Sequence, residues 1–210
     1  MTVTRRHGFT FVEVLIVVGM SCVLAAIGLP RFFQAQKHAK QSEVIANLKT
    51  LHAAMSTQAA MPTSIHVPGF DPPRGNRYSY HLSEWCASTE FRSGPEPIRS
   101  DADECIGVDT YVHYSLPDFF PVMPIAAVSW DDNALMNGMA TSPGVFGTQD
   151  NWDYLAYAAG DLDMQPFEHP DTWTVASADA LIFATCPSTG SMESLPAGEP
   201  FRVYNDKDCN

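Results

Sequence analysis

The feature that most constrains this chain is an apolar run at residues 8–29, GFTFVEVLIVVGMSCVLAAIGL. A short leader carrying Arg5 and Arg6 precedes it, and a single acid, Glu13, interrupts it. As an α-helix rising about 1.5 Å per residue, residues 9–29 extend roughly 31 Å, enough to span the hydrocarbon core of a bilayer. The arginines hold the N-terminal end on the cytoplasmic side. The chain is therefore expected to begin with a membrane helix, N-terminus inside.

Glu13 makes that helix unusual. A carboxylate placed deep in a membrane segment costs about 2.5–3.5 kcal/mol on insertion scales, and a plain anchor gains nothing from it. An acid close to the headgroups would be tolerated. The sharper expectation is a cation that meets it in the apolar phase. A cut after Gly8 would create an α-amine on Phe9, one helical turn from Glu13. In a stack of such helices, one chain's Glu13 would meet the next chain's Phe9 amine.

These residues carry a family resemblance. Gly8-Phe9-Thr10-Phe11-Val12-Glu13 resembles the type III signal of type IV prepilins, whose usual pattern is Gly-Phe-Thr-Leu-Ile-Glu, and Pro30 falls where that family has a proline. The resemblance implies cleavage between Gly8 and Phe9 by a prepilin peptidase and N-methylation of Phe9. The motif is shared by pilins and by the pseudopilins of type II secretion. A secretory signal peptide, with Ala25 and Ala26 as its small residues, is the competing reading; Glu13 and the helical pattern that continues past residue 30 count against it.

Beyond the helices, the 210 residues leave enough chain for one soluble domain. The hydrophobic fraction of 45% supports a packed core. A formal charge of −12 argues against a head that binds nucleic acid through a basic surface, and losing Arg5 and Arg6 makes the chain more acidic still. Cys22 sits in the apolar run and behaves as a small apolar residue. In an exported, oxidised head, Cys86, Cys105, Cys186 and Cys209 would form disulfides. Four cysteines allow three pairings; loop length favours Cys86–Cys105 and Cys186–Cys209, the pairs we expect. No Cys-x-x-Cys spacing occurs, which argues against zinc.

Taken in order, the chain divides into a leader (1–8), a membrane or fibre-core helix (9–30), an amphipathic helix (31–61) and a head (62–210). Pro30 removes a helical N–H and predicts a kink. Val44, Leu48, Leu51 and Met55 recur at i, i+4, i+7 and i+11, the spacing of one helical face, and Pro62 ends the run. Residues 9–60 would make one kinked helix of about 78 Å. Residues 68–76, PGFDPPRGN, are turn chemistry. Strands are expected at 77–82, 111–116, 125–130, 152–159, 172–176, 181–185 and 201–204, with loops at 83–107 and 131–151. One long helix followed by antiparallel strands suits an α+β layer in which a sheet covers the helix stripe. KHAKQSEVIANLKTL and PPRGNRYSYHLS are also similar to the corresponding stretches of type IVa pilins, particularly those of myxobacteria.

Enzyme motifs are missing: the sequence holds no His-Glu-x-x-His, no Gly-x-Ser-x-Gly and no phosphate-cradling glycine loop. The run at 160–165, GDLDMQ, starts like a Ca²⁺ loop through Asp161 and Asp163, but Pro166 stands where an EF-hand needs glycine and Thr172 where it needs glutamate. A solvated turn accounts for it without an ion, and no cofactor is expected. Trp130, Trp152 and Trp173 read as core residues. Arg74 and Arg77 make a small basic knob or a solvated turn.

The expectation is a non-enzymatic pilin. It would be stored in the inner membrane and polymerised with identical subunits into a cell-surface filament for motility, adhesion or DNA uptake. The implied partners are the prepilin peptidase and N-methyltransferase, an assembly platform, motors and an outer-membrane secretin. A type II secretion pseudopilin is the alternative, and a signal-anchored periplasmic enzyme a third reading.

Overall fold

The computed structural model describes residues 9–162, 169–186, 191–206 and 209. The chain falls into two units, Met1–Ala39 and Lys40–Asn210, and helix α1 (Phe11–Met55) contributes to both.

In the first unit the described residues are helix and its lead-in, and every one from 9 to 36 is exposed. Thr10 and Glu13 open α1 with a reciprocal cap. The Thr10 amide and hydroxyl each donate to Glu13 Oε2 at 2.7 Å, and the Glu13 amide donates to Thr10 Oγ1 at 3.3 Å. Ser21 returns its hydroxyl to the Val17 carbonyl at 2.8 Å, so this polar side chain is satisfied inside the helix. Pro30 lies within α1.

In the second unit the apolar stripe of α1 is buried as its spacing predicts: Val44, Leu48, Leu51 and Met55 are fully buried and Ala54 nearly so. The helix ends at Met55, short of the predicted boundary. Past it, the amides of Thr57 and Gln58 bond back to Ala54 and Met55 in a tighter i→i−3 turn. Ser56, Thr57 and Gln58 also turn their side chains onto the Ala53 and Ala54 carbonyls. Short polar side chains that compete for the last carbonyls end the helix before Pro62 can.

The head has two sheets rather than one. The larger runs β10 (Phe201–Tyr204), β7 (Asp171–Ala176), β6 (Trp152–Gly160), β1 (Tyr78–His81), β3 (Cys105–Ile106), β2 (Thr89–Glu90), with β5 (Gly144–Gly147) also pairing β6. The smaller is β4 (Ala127–Trp130), β8 (Ala180–Phe183), β9 (Glu193–Leu195). Between named strands pairing is antiparallel except for β2 with β3.

Strand β6 is the centre. Its near-continuous apolar run is buried on both faces, as such a run must be. Tyr154, Ala156 and Ala158 join the α1 stripe, Tyr78, Tyr80, Trp173 and Val175 in one core. Leu155 and Tyr157, on the other face, pack with Trp130, Ile182, Leu195 and Val203 against the smaller sheet. The head is therefore layered as helix, sheet, sheet. Gly160 lies opposite Tyr78 in the β1–β6 register, and a Cβ there would stand 2.7 Å from the Tyr78 ring. That close approach explains a glycine at the end of a buried strand.

Three local expectations fail. Residues 111–116 are turn, not strand, because Asp109 captures the amides of Val112 and His113. The loop predicted at 131–151 contains α2 (Asp132–Met136), opened by Asp131, whose carboxylate accepts from the Ala134 amide at 2.8 Å, and it also contains β5. The loop predicted at 83–107 holds both β2 and β3.

Candidate assembly surface and the stapled head

The candidate assembly surface is the first part of α1. Phe9 is 88% exposed, Phe11 80% and Leu24 71%, and the apolar side chains on to Phe33 stand outside any core formed by the chain itself. This helix is long and apolar enough to cross a membrane. So large a contiguous apolar surface needs lipid or other protein to cover it.

Glu13 stands one turn into that surface. Its hydrogen bonds to Thr10 provide an acceptor role that the sequence reading missed, although Thr10-x-x-Glu13 is a capping-box signature and was open to view. The cap satisfies helix-end donors and leaves the carboxylate's charge without a cation in the described residues near it. Phe9, the residue with which it is expected to pair, is described and exposed; Gly8 of the expected cleavage site lies outside the described residues.

In the head, Cys86 is bonded to Cys105 and Cys186 to Cys209, with Cα separations of 5.4 and 5.9 Å. The first bond ties the segment after β1 to β3, and the second ties the segment after β8 to the C-terminus. Cys22 is free and exposed on α1.

Arg74 and Arg77 do not form a basic knob. Arg74 pairs with Asp109 and donates to the carbonyls of Gly94 and Pro95 at 2.8 Å, so its charge is neutralised inside the turn. The Asp109 hydrogen bond holds the Arg74 guanidinium above its ordinary pKa. On Asp109, burial works to raise the carboxyl, but hydrogen bonds from Arg74 and from the Gly75 and Val112 amides outweigh it and lower the pKa. Arg77 faces His113 Nδ1 at 3.2 Å.

Beside them Arg92, fully buried, pairs with buried Glu90 and donates to the Pro72 carbonyl at 2.7 Å, Asn76 Oδ1 at 2.9 Å and Asp71 Oδ1 at 3.1 Å. This network pins the 68–76 turn to β2. Nothing in the one-dimensional pattern pointed to Arg92, because its partners come from separate loops.

Of the calcium candidates, Asp161 is buried at the end of β6, and Asp163 lies outside the described residues. Trp130 and Trp173 are core residues, and Trp152 packs at the core's margin.

Comparison with known proteins gives the family. A family model described as "Type IV pilin PilA" matches residues 33–169. The match begins beyond the apolar run, so it rests on the later helix and the head, independently of the Gly8–Glu13 signal. The Myxococcus xanthus (strain DK1622) protein named "Type IV major pilin protein PilA" is 29% identical over 219 aligned residues, which cover 98% of this chain and 94% of that protein. The family model spans well over half of the sequence, and the chain belongs to the type IV pilin PilA family.

Proposed function

We propose that this chain is the repeating subunit of a type IV pilus, processed between Gly8 and Phe9 and assembled through the exposed apolar part of α1. One observation carries the reading: an apolar stretch from Phe9 to Leu29, helical from Phe11, whose side chains stand exposed, with a lone carboxylate, Glu13, near its start. Bilayer covers that surface before assembly, and the same segments of other subunits cover it in the fibre. Identical subunits related by a rotation that does not close make a filament. The match to a pilin family over the head makes a type II secretion pseudopilin the less favoured reading.

In this mechanism Glu13 sets the axial register of each incoming subunit. Cleavage supplies the Phe9 amine, which the prepilin lacks. Pairing of that amine with a neighbour's Glu13 in low dielectric removes an unpaired charge from each chain. Peptidase, N-methyltransferase, assembly platform, motors and secretin are the partners that this route requires. Surface motility, adhesion or DNA uptake is the outcome, and no cofactor enters it.

Glu13→Ala tests the mechanism in cells where it is the only subunit. The variant should insert and be cleaved normally, because the leader and cut site are intact. It should give at least about tenfold fewer surface fibres, equivalent to losing one ion pair of about 1.4 kcal/mol or more. Abundant normal fibres would show that the acid plays no part in assembly.

A further inference from the structure

Among the described residues, one group of His, Cys, Asp and Glu side chains converges closely enough to hold a metal ion: His81, Cys86 and Cys105, with donor atoms within 4.8 Å of one another. Two of the three are the first disulfide. We propose that the Cys86–Cys105 staple has a second, reduced state in which these residues bind a soft divalent cation, Zn²⁺ by chemistry, as a Cys₂His site.

Geometry carries the proposal. A tetrahedral zinc with Zn–S of about 2.3 Å and Zn–N of about 2.0 Å has donor–donor edges of about 3.5–3.8 Å. His81 Nδ1 lies 3.2 Å from Cys86 Sγ and 3.9 Å from Cys105 Sγ. The Ser83 carbonyl oxygen lies 3.5 Å from the first sulfur and 3.7 Å from the second. Four of the six edges are thus close to those of the metal site before any metal is present. The S–S edge has to open, which reduction of the bond allows.

The histidine is also in the tautomer a ligand needs. The Ser79 hydroxyl donates to the Ala159 carbonyl and accepts from the Phe120 amide. With its single proton on that carbonyl, it is an acceptor for His81 Nε2–H, 2.9 Å away. The Nδ1 lone pair is left facing the two sulfurs. A ring nitrogen held by an orienting hydrogen bond while the other faces the metal is the usual arrangement around zinc. Cys86 is moreover the only non-glycine among the described residues with a positive φ, 45°. Such backbone strain persists where the surroundings over-determine a residue.

The chemistry balances. A dithiol gives two electrons to the Cys86–Cys105 bond and becomes a disulfide, and its two protons end on the two cysteine sulfurs. Zn²⁺ then displaces both protons and binds two thiolates and a neutral imidazole. The segment after β1 stays tied to β3 in either redox state.

The test uses the full-length chain in detergent, reduced with a phosphine, which takes up oxygen from water as the disulfide gains its protons. Zn²⁺ should slow alkylation of Cys86 and Cys105, mapped by mass spectrometry, at least about tenfold while leaving Cys186 and Cys209 open. Co²⁺ should bind one per chain with the thiolate absorption of a tetrahedral site, and His81→Ala should weaken it at least about tenfold. The alkylation map needs no variant, so a folding defect in His81→Ala does not remove the test. Equal labelling of Cys86 and Cys105 with and without Zn²⁺, or Co²⁺ affinity unchanged in a folded His81→Ala, would overturn the proposal.

Discussion

Asp171 enters the folded head at a cost. It is fully buried at the start of β7, where Oδ2 accepts from the Tyr78 hydroxyl and the Trp173 indole, each at 2.7 Å. Burial raises its pKa from 3.8 to about 6, against the opposing hydrogen bonds and Arg202; Asp206 adds to the rise. The folded head thus holds this proton more tightly than the unfolded chain. Its contribution is fully present below pH of about 4 and is lost as pH rises through about 6, by at most about 3 kcal/mol. Asp171→Asn keeps an acceptor for Tyr78 and Trp173 and removes the charge. In urea titrations at pH 4.5 and 7.5, the variant should therefore lose less stability than wild type on going to the higher pH; an identical loss in both would refute the assignment. Gly160→Ala should drive a methyl group into the Tyr78 ring and cost about 1–3 kcal/mol, read as a fall in melting temperature. Neither effect was legible beforehand. A lone Asp beside a strand looks like any turn acid until Tyr78, 93 positions away in sequence, is seen to reach it. Glu13 is legible as an anomaly, but its cap with Thr10 shows only once the helix is seen to start at Phe11 rather than at Phe9.

At the scale of elements, the helical face of Val44, Leu48, Leu51 and Met55 could be read directly, since periodicity encodes burial. Its end could not be judged from Pro62 alone, because Ser56, Thr57 and Gln58 act through side chains. Strand β6 was visible as a continuous apolar run, whereas β5 was hidden by its two glycines. The short strands β2 and β3 owe their pairing to a distant neighbour. Leu51→Ala should cost about 2–5 kcal/mol, as the loss of a fully buried leucine does, and shift the denaturation midpoint without changing helix insertion in the membrane. The two disulfides close segments separated by 19 and 23 residues. In the chain-entropy model each should contribute about 3 kcal/mol. Non-reducing peptide mapping of the exported protein should return Cys86–Cys105 and Cys186–Cys209. A cross-pairing such as Cys105–Cys186 would contradict the arrangement.

For the whole molecule, the α+β class followed from one long helix preceding short strands. The second sheet did not: β4 and β8 fall on expected strands, but nothing in the one-dimensional pattern pairs Val128 with Ile182, and β9 was not expected. What the chain leaves uncovered matters most for function: the apolar surface from Phe9 to Leu29 needs lipid or other protein to cover it. The most direct measurement is to shear the surface of cells that make this chain, image the released material and sequence the N-terminus of its subunit. The account predicts long filaments built of this chain, with Phe9 as the first residue. A surface fraction without such filaments, with the chain confined to the cell envelope or still carrying residues 1–8, would contradict it.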